Sequence, residues 1–392
     1  MQKVYILSAK RTPIGSFGGK LSGFSAVDLG VISSFGAIAA ASIDPAIIDE
    51  VYFGNVVQAN LGQAPARQVA LKAGLGNNVP CTTVNKVCSS GLKSVMLAAQ
   101  SIQLGINDVV LAGGMESMSN IPHYLPHLRW GVKFGGSQVI DGLQRDGLID
   151  VYDQKAMGVY ADATAERYEI SREEQDRFAI QSYTRAKEAT ESGKFINEIS
   201  PISIPQRKGE PVIMDKDEEY TNVAFEKIPS LKPAFTSNGT VTAANASTIN
   251  DGAASLILAS EKFIKAHGLN PIAEVIGYAD AAHEPQWFTT APTIAAPKAI
   301  KNANLVQSDI NLFEVNEAFS VVTMAFNQTL GIDESIVNIH GGAVALGHPL
   351  GASGARVLTT LIHGLQLEKK ELGCATLCNG GGGASALVVR AM

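Results

Sequence analysis

The chain lacks any apolar run that approaches the roughly 20 residues of a membrane-spanning helix, so no membrane partner is expected. It also lacks an excess of positive charge, because 31 Lys and Arg stand against 37 Asp and Glu for a net charge of −6. No basic stripe is visible, and no nucleic-acid partner is expected. Cysteine is scarce: the spacings of the four cysteines match no zinc or redox motif, and disulfides are not expected in a large cytosolic protein.

The length and composition favour a large, well-buried α/β protein. Apolar residues make up 46% of the 392 residues and charged residues 17%, which is enough for two or three domains' worth of core. Residues 4–7 already have the pattern of a strand, which leaves no room for a signal or transit segment. Residues 389–392 form no peroxisomal signal. A cytoplasmic location is therefore expected.

Cys88 lies where an apolar, strand-like stretch gives way to a small-residue turn and a predicted helix. The start of a helix stabilises a thiolate through its unpaired N–H groups and the macrodipole, so we expect Cys88 to be a nucleophile. Ser89, Ser90 and Gly91 add no bulk, which leaves room for an acyl group on the sulfur. The alternative is a buried structural cysteine, the commoner case for a cysteine that stands alone.

Two more reactive groups lie near the C-terminus. His348 is in a glycine-rich loop with little apolar surface around it, and Cys378 precedes four glycines, where backbone must approach another group closely. Two cysteines and a histidine, each at a loop or helix start, fit acyl transfer through sulfur. Residues 380–383 lack both the P-loop lysine and the dinucleotide spacing, which argues against a nucleotide site. Cys81 and Cys374 are expected to be structural residues on strands.

The order strand, loop, helix, strand occurs twice in the chain. It appears first over residues 84–114, with Cys88 in the loop. It appears again over residues 337–381, with a strand predicted at 337–339 and His348 in the loop. Such alternation predicts sheets covered by helices, with functional loops at the strand ends that face the junction of the two halves.

Residues 119–250 are more charged than the rest and are interpreted as a long excursion from the first half. One amphipathic helix is clear in this stretch. Ser171 and Glu174 have the spacing of a capping box, and apolar residues that include Phe178 and Tyr183 follow at helical spacing on one face.

Five blocks, taken together and in this order, closely resemble the thiolases, and within them the acetoacetyl-CoA thiolases (acetyl-CoA acetyltransferases). The blocks are Asn85-Lys86-Val87-Cys88-Ser89-Ser90-Gly91, Gly113-Gly114-Met115-Glu116-Ser117-Met118, Asn316-Glu317-Ala318-Phe319-Ser320, Gly347-His348-Pro349 and Cys378-Asn379-Gly380-Gly381-Gly382-Gly383. The resemblance covers essentially the whole chain.

The resemblance implies the α/β thiolase fold, in which two similar α/β halves, each with a mixed five-stranded sheet, form α-β-α-β-α layers with an inserted loop domain. We expect the first half over residues 1–118 and the second half over residues 251–392. Residues 119–250 would form a loop domain that covers the active site, binds CoA and ends with the return to the first half.

The resemblance also implies catalytic roles. Cys88 would be the nucleophile that becomes acetylated, and His348 would take its proton. Cys378 would be the base that deprotonates the second acetyl-CoA. Asn316 would hold a water that forms, with His348, the oxyanion hole for the enolate. The backbone N–H groups of Cys88 and Gly380 would form the other oxyanion hole, which would explain a loop free of Cβ atoms.

By the same resemblance, CoA would lie along a set of mostly small and apolar side chains, namely Leu148, Met157, Phe235, Ala243, Ser247, Phe288, Ala318 and Phe319. Lys227 would lie near the CoA phosphates, although Asn222 and Ala224 lack the charged side chains that some relatives carry there. Some of these thiolases bind potassium, and the matching positions are Tyr183, Ala243, Ala244, Ala246 and Val344. No other cofactor is expected.

The implied reaction is the reversible condensation of two acetyl-CoA into acetoacetyl-CoA and CoA through acetyl-Cys88, within lipid metabolism and the mevalonate pathway. The alternative is a broad-chain 3-ketoacyl-CoA thiolase of β-oxidation, whose longer substrates Phe288 and Phe319 would obstruct. A non-catalytic acyl-CoA-binding protein on the same fold would lack one of Cys88, His348 and Cys378. Decarboxylative ketoacyl synthases typically carry histidine in place of the second cysteine. A homotetramer, built as a dimer of dimers, is expected.

Overall fold

The computed structural model describes residues 2–392, and most of its strands belong to one mixed sheet. The strands are β1 (Val4–Arg11), β2 (Gly15–Ser16), β3 (Glu50–Gly54), β4 (Cys81–Val84), β5 (Val109–Ser117), β6 (His123–Tyr124), β7 (Ile140–Asp141), β8 (Ile202–Ile204), β9 (Val212–Met214), β10 (Asn250–Ser260), β11 (Ala273–Ala282), β12 (Leu312–Val315), β13 (Leu372–Asn379) and β14 (Gly383–Ala391).

Ten α-helices accompany the strands in this part of the chain. They are α1 (Ala26–Ala41), α2 (Pro65–Lys72), α3 (Ser90–Gln103), α4 (Met157–Arg167), α5 (Arg172–Glu191), α6 (Glu261–His267), α7 (Pro292–Asn302), α8 (Ser320–Leu330), α9 (Ala343–Leu346) and α10 (Leu350–Leu367). None of the helices described for residues 2–392 is long and apolar enough to cross a membrane.

The sheet order is β4-β3-β5-β10-β1-β11-β14-β13-β12. The first five of these strands form the sheet of the first half, and the last four form that of the second half. Within the described residues, the two half-sheets join through a short pairing in which Val4, Tyr5 and Ile6 of β1 face residues of β11. The two α/β halves predicted from the sequence are therefore present.

Three layers of helices enclose the two half-sheets. Helices α3 and α10 pack against each other between the half-sheets, where residues such as Leu92, Met96 and Leu358 form the central core. Helices α1 and α2 cover the outer face of the first half, and α7 and α8 cover the outer face of the second. This arrangement gives the predicted α-β-α-β-α layers. It also brings the N-termini of α3 and α10 to the same central layer.

The strand predicted at residues 337–339 is wrong. Asn338 has a φ of 46°, in the left-handed region that a strand cannot use. Its side chain takes over the pairing, since Oδ1 accepts from the Val315 N–H at 2.7 Å and Nδ2 donates to the Val315 carbonyl at 2.8 Å. Val337 keeps a single isolated bridge to Phe313. The second half-sheet therefore has four strands where five were expected.

Strand β10 begins where the predicted loop domain ends, and all of its residues are buried. It pairs with β5 on one side and with β1 on the other, so it lies inside the sheet of the first half. We propose that the first half extends through Ser260, and that the division expected at residue 250 lies one strand too early.

The predicted amphipathic helix is confirmed as α5. Ser171 Oγ accepts from the Glu174 N–H, and the Glu174 carboxylate accepts from the Ser171 N–H at 2.8 Å, which completes the capping box. Phe178 and Tyr183 are buried as the spacing indicates. The rest of the excursion contains α4, two small hairpins (β6–β7 and β8–β9) and irregular segments.

Candidate active site

Three loops at strand and helix ends meet at the junction of the two halves. Cys88 follows β4 and precedes α3, His348 precedes α10, and Gly380 follows β13. All three residues line one cavity of about 670 Å³. The structure thus brings together groups that stand at opposite ends of the sequence.

The walls of this cavity contain eight of the nine residues that the sequence predicts for CoA. These are Leu148, Met157, Phe235, Ala243, Ser247, Phe288, Ala318 and Phe319. Lys227 is an exposed residue of the turn Phe225–Ser230 and does not line the cavity, so its role near CoA phosphates remains a prediction. The sequence reasoning missed Val87, Met118, Glu219 and Leu350, which also line it. Val87 and Met118 lie in two of the five blocks, which could have indicated them, whereas Glu219 and Leu350 lie outside every block.

The pKa of Cys88 does not follow the sequence-based expectation. Burial raises the pKa of the Cys88 thiol to about 12, while hydrogen bonds from the backbone N–H groups of Gly380 and Cys88 itself oppose the rise. The residue lies outside the helix, since α3 begins at Ser90. Desolvation therefore outweighs these donors in the free protein and favours the thiol, although the N–H groups act in the direction expected from the sequence.

The residue before Cys88 has a strained backbone. Val87 has a φ of 50°, a region that β-branched residues rarely adopt. The turn is fixed by its hydrogen bonds: the Ser90 hydroxyl accepts from the Lys86 N–H at 2.8 Å and donates to the Val87 carbonyl at 2.6 Å. The Asn85 side chain accepts from the Val87 N–H at 3.0 Å. Such strain, about 1–3 kcal/mol, is typical of functional sites.

His348 is held as a neutral imidazole. Burial, followed by the charge of Arg356, lowers the pKa of His348 to about 3. The Ser353 hydroxyl donates to the Pro349 carbonyl at 2.8 Å and lies 2.6 Å from His348 Nδ1. Nδ1–H therefore donates to Ser353, which leaves the lone pair on Nε2. Among residues 2–392, this buried Nε2 has no hydrogen-bond partner, as expected of a base aimed at the cavity.

Cys378 and Asn316 lie behind the cavity wall. Cys378 is fully buried and packs in the cluster that contains Phe288 and Phe319. Burial, and then the neighbouring Cys88, raises the pKa of Cys378, which places the two sulfurs within electrostatic range. Asn316 Nδ2 lies 3.4 Å from His348 Nδ1. Its buried Oδ1 has no partner in the part of the chain that is described.

The loop after Cys378 contains four glycines, and the backbone requires glycine at Gly381 and Gly382. The position with the predicted role, Gly380, does not require it. Gly381 and Gly382 have φ values of 83° and 84°, and a Cβ on Gly382 would lie 2.2 Å from the His283 carbonyl oxygen. A Cβ on Gly380 would meet Met157 only at an ordinary 3.6 Å. The fold therefore requires glycine at positions 381 and 382, and the space at Gly380 is left to whatever occupies the cavity.

Comparison with known proteins agrees with this geometry. The family descriptions "Thiolase, N-terminal domain" and "Thiolase, C-terminal domain" match residues 4–262 and 269–391. A Dictyostelium discoideum protein named "Probable acetyl-CoA acetyltransferase" is 53% identical over 99% of this chain and 94% of its own length. "Acetyl-CoA acetyltransferase ERG10, cytosolic" of Gibberella zeae is 50% identical over 98% of each chain.

Among solved structures, the Acat5 thiolase from Ascaris suum in complex with coenzyme A has a TM-score of 0.95. It is 46% identical and each chain covers 100% of the other. Both family descriptions, the full-length relatives and the similar solved structure support the same conclusion. This chain therefore belongs to the thiolase family.

Proposed function

We propose that the protein is an acetyl-CoA C-acetyltransferase that reversibly condenses two acetyl-CoA into acetoacetyl-CoA and CoA. The observation that carries this proposal is that Cys88, His348 and Gly380 line one largely apolar cavity together with the residues expected to bind CoA. The full-length relatives named acetyl-CoA acetyltransferase support the same activity. The product would enter lipid metabolism, including the formation of mevalonate.

In the first half-reaction, Cys88 attacks the acetyl-CoA carbonyl and forms the acetyl thioester. Because its pKa is about 12, the thiol must lose its proton as the sulfur attacks, and the Nε2 lone pair of His348 accepts it. The departing CoA thiolate takes a proton from the Cys378 thiol, which leaves Cys378 as a thiolate, and the Cys88 proton stays on Nε2 of His348. Burial disfavours an imidazolium in the free protein, and the Cys378 thiolate formed in the same step would offset its charge. The N–H groups of Cys88 and Gly380 would stabilise the tetrahedral oxyanion.

In the second half-reaction, the Cys378 thiolate takes a proton from the α-carbon of the second acetyl-CoA. The burial that raises the Cys378 pKa also makes its thiolate a stronger base. The Nε2–H of His348, which carries the proton taken from Cys88, and a water on the free Oδ1 of Asn316 would stabilise the enolate oxygen. The enolate carbon then attacks acetyl-Cys88, the C–S bond breaks and acetoacetyl-CoA forms. The released Cys88 sulfur takes its proton back from Nε2 of His348, which restores the resting thiol and imidazole.

The test is CoA-dependent thiolysis of acetoacetyl-CoA beside a long-chain 3-ketoacyl-CoA. We expect cleavage of the short substrate alone, because Phe288 and Phe319 are buried in the cavity wall. Cys88→Ala should abolish it, whereas Cys374→Ala should retain it, since Cys374 lies on β13 away from the cavity. Equal cleavage of both substrates would assign a broad β-oxidation thiolase. Cleavage of neither would indicate a CoA-binding protein.

We further propose a potassium site at Tyr183, Ala243, Ala244, Ala246 and Val344. Backbone carbonyls suit a large monovalent cation, and within residues 2–392 those of Ala243 and Ala244 accept no hydrogen bond. Tyr183 and Val344 pack in one cluster, and Ala243 and Ala246 line the cavity.

The electrostatic surroundings also suit a cation. Burial, and then the charges of Glu219 and Glu317, raises the pKa of Tyr183, so two carboxylates act on this region. Potassium should raise both the unfolding temperature and the activity above the values in a large inert cation at equal ionic strength. Equal unfolding temperatures in the two salts would remove the proposal.

We propose a cytoplasmic homotetramer, built as a dimer of dimers. The excursion presents apolar side chains that are unusual for a free surface: Trp130 and Phe134 are 83% and 100% exposed. The relative from Gibberella zeae is named cytosolic. Sedimentation analysis of the wild type and of Trp130→Glu tests the assembly, and a monomeric wild type would refute it. Cell fractionation tests the location.

A further inference from the structure

The loop that carries His348 is bound at two points by the first half of the molecule. We call residues 347–351 the His348 segment. The N–H of His348 donates to Asn250 Oδ1 at 2.8 Å, and the N–H of Gly351 donates to Glu116 Oε2 at 2.8 Å. Asn250 starts β10 and Glu116 lies near the end of β5, and these strands are paired neighbours. The two acceptors therefore lie on neighbouring strands that both contact the His348 segment.

Asn250 is fully buried and every hydrogen-bonding position of its side chain is used. Nδ2 donates to the Gly15 carbonyl and to Glu219 Oε1, both at 3.0 Å. Oδ1 accepts from the Thr248 hydroxyl at 2.9 Å as well as from His348. These partners fix the orientation of the amide, so its oxygen always faces the His348 backbone.

Glu116 is a buried carboxylate held only by N–H donors. It accepts from the N–H of Val56 at 2.9 Å, from the N–H of Val57 at 3.2 Å and from Asn55 Nδ2 at 2.8 Å, in addition to Gly351. Gly351 is in the first turn of α10, where backbone N–H groups have no partner within the helix. Glu116 therefore acts as a helix cap supplied by the other half of the molecule.

Close packing leaves the segment no freedom to shift. Gly347 has a φ of 107°, and a Cβ there would lie 2.4 Å from Asn250 Cγ, so the Asn250 side chain occupies that space. Gly252, which faces Glu116 across the strand pair, leaves room for Pro349: a Cβ on Gly252 would lie 3.2 Å from Pro349 Cγ. The His348 segment is therefore fixed by two hydrogen bonds and by the packing of Pro349 against Gly252.

We propose that Asn250 and Glu116 are positioning residues that hold the His348 segment so that the imidazole Nε2 meets Cys88. The inference rests on the proposed function, because it assigns Nε2 the task of taking the Cys88 proton. Neither residue touches the reacting atoms. A displacement of about 1 Å at such a base costs about 100-fold in rate, so loss of one hydrogen bond from the segment has a measurable kinetic effect.

The first test is Asn250→Ala in thiolysis of acetoacetyl-CoA. We expect kcat to fall about 100-fold with KM unchanged, because the residue positions the base and does not hold CoA. In a His348→Ala background the same substitution should cost nothing further. The control is Asn311→Ala, which also removes an amide that accepts two backbone N–H bonds, from Glu371 and Leu372, but far from the cavity. Its kcat should equal that of the wild type.

Equal losses of kcat from Asn250→Ala in both backgrounds would overturn the proposal, since the residue would then act independently of His348. If Asn250→Ala fails to fold, the kcat of Gly252→Ala tests the proposal in its place. Its methyl group fits the strand but presses on Pro349, so a stable protein with lowered kcat supports the proposal and an unchanged kcat overturns it.

Glu116 offers a conservative pair of variants. Glu116→Gln keeps an oxygen for the N–H groups of Gly351 and Val56, and Asn55 can turn its unpartnered Oδ1 to the new amide. The 3.2 Å bond from the Val57 N–H is lost, but the bond to the His348 segment is kept, so kcat should largely recover relative to Glu116→Ala. Equal kcat values for the two variants would contradict a positioning role.

A wild type without thiolysis would refute the proposed function and not this inference. Amide hydrogen exchange does not depend on activity and reports the same positioning. Asn250→Ala must speed the exchange of the N–H groups of residues 348–351, and Asn311→Ala must leave it unchanged; an unchanged rate in Asn250→Ala would overturn the inference.

Discussion

Cys88 and His348 are both uncharged in the free protein at neutral pH, and burial causes both states. Removal from water disfavours whichever form is charged, so it raises the pKa of Cys88 to about 12 and lowers that of His348 to about 3. The pair therefore rests as thiol and imidazole. A thiolate forms only when substrate or an external base draws the proton away.

The alkylation of Cys88 by iodoacetamide should reflect this state. Because the thiolate is the reactive form, the rate should rise about tenfold per pH unit and continue past the ordinary cysteine pKa of 9.0. Peptide mass spectrometry of protein labelled between neutral and strongly alkaline pH gives the profile. A plateau near or below the ordinary value would mean that the turn stabilises the thiolate in spite of burial.

At the scale of elements, helix α4 fixes one wall of the cavity. The Asp162 carboxylate accepts from the N–H groups of Thr240 and Val241, both at 2.9 Å, and so ties down the loop that carries Phe235. The Phe235 ring meets Phe319 edge-on, with centroids 6.0 Å apart. Helix and loop together set the width of the cavity where the acyl-CoA chain would pass.

Gly158, in the first turn of α4, allows this contact. A Cβ there would lie 2.2 Å from the Phe235 ring, so Gly158→Ala must displace the ring. We expect KM for acetoacetyl-CoA to rise more than kcat falls, as steady-state kinetics would measure. The matched control is Gly364→Ala in α10, where the nearest side-chain atom is 3.7 Å away. That variant should gain about 1 kcal/mol of stability without a change in KM.

At the scale of the whole molecule, a buried ion cluster fastens the excursion to the first strand. Arg11 of β1 is fully buried and contacts Glu198 at 2.6 Å and Asp217 at 2.7 and 2.9 Å. Burial lowers the pKa of Arg11, but the charges of Asp217 and Glu198 outweigh it and raise the net value. Residues 119–250 are therefore attached to β1 through buried ion pairs.

Asp217→Asn should destabilise the protein by about 3–5 kcal/mol, because it leaves part of a buried cation uncompensated. Urea unfolding at neutral pH measures the loss. Lys187→Gln, which breaks the exposed pair between Lys187 and Glu191, should cost about 0.5 kcal/mol at most. A similar small cost for Asp217→Asn would show that the cluster is dispensable.

Local patterns determined much of the protein. The capping box at Ser171 fixed the start of α5, since a cap depends on residues three apart. Cys88, His348 and Cys378 could be selected as candidate reactive side chains because each lies at a strand or helix end among small residues. The same local reasoning failed at Asn338, where a side chain replaced strand pairing.

Tertiary structure decided the protonation states and the support of the site. Burial depends on what other segments cover a residue, so the sequence could not show that desolvation at Cys88 outweighs its N–H donors. The acceptors for the His348 segment lie 98 and 235 residues away from their donors, and no local pattern connects Asn250 or Glu116 with them. The sequence by itself therefore determined which groups are proposed to react. The packing of two distant halves decided their charge and their geometry, because both depend on desolvation and on long-range hydrogen bonds.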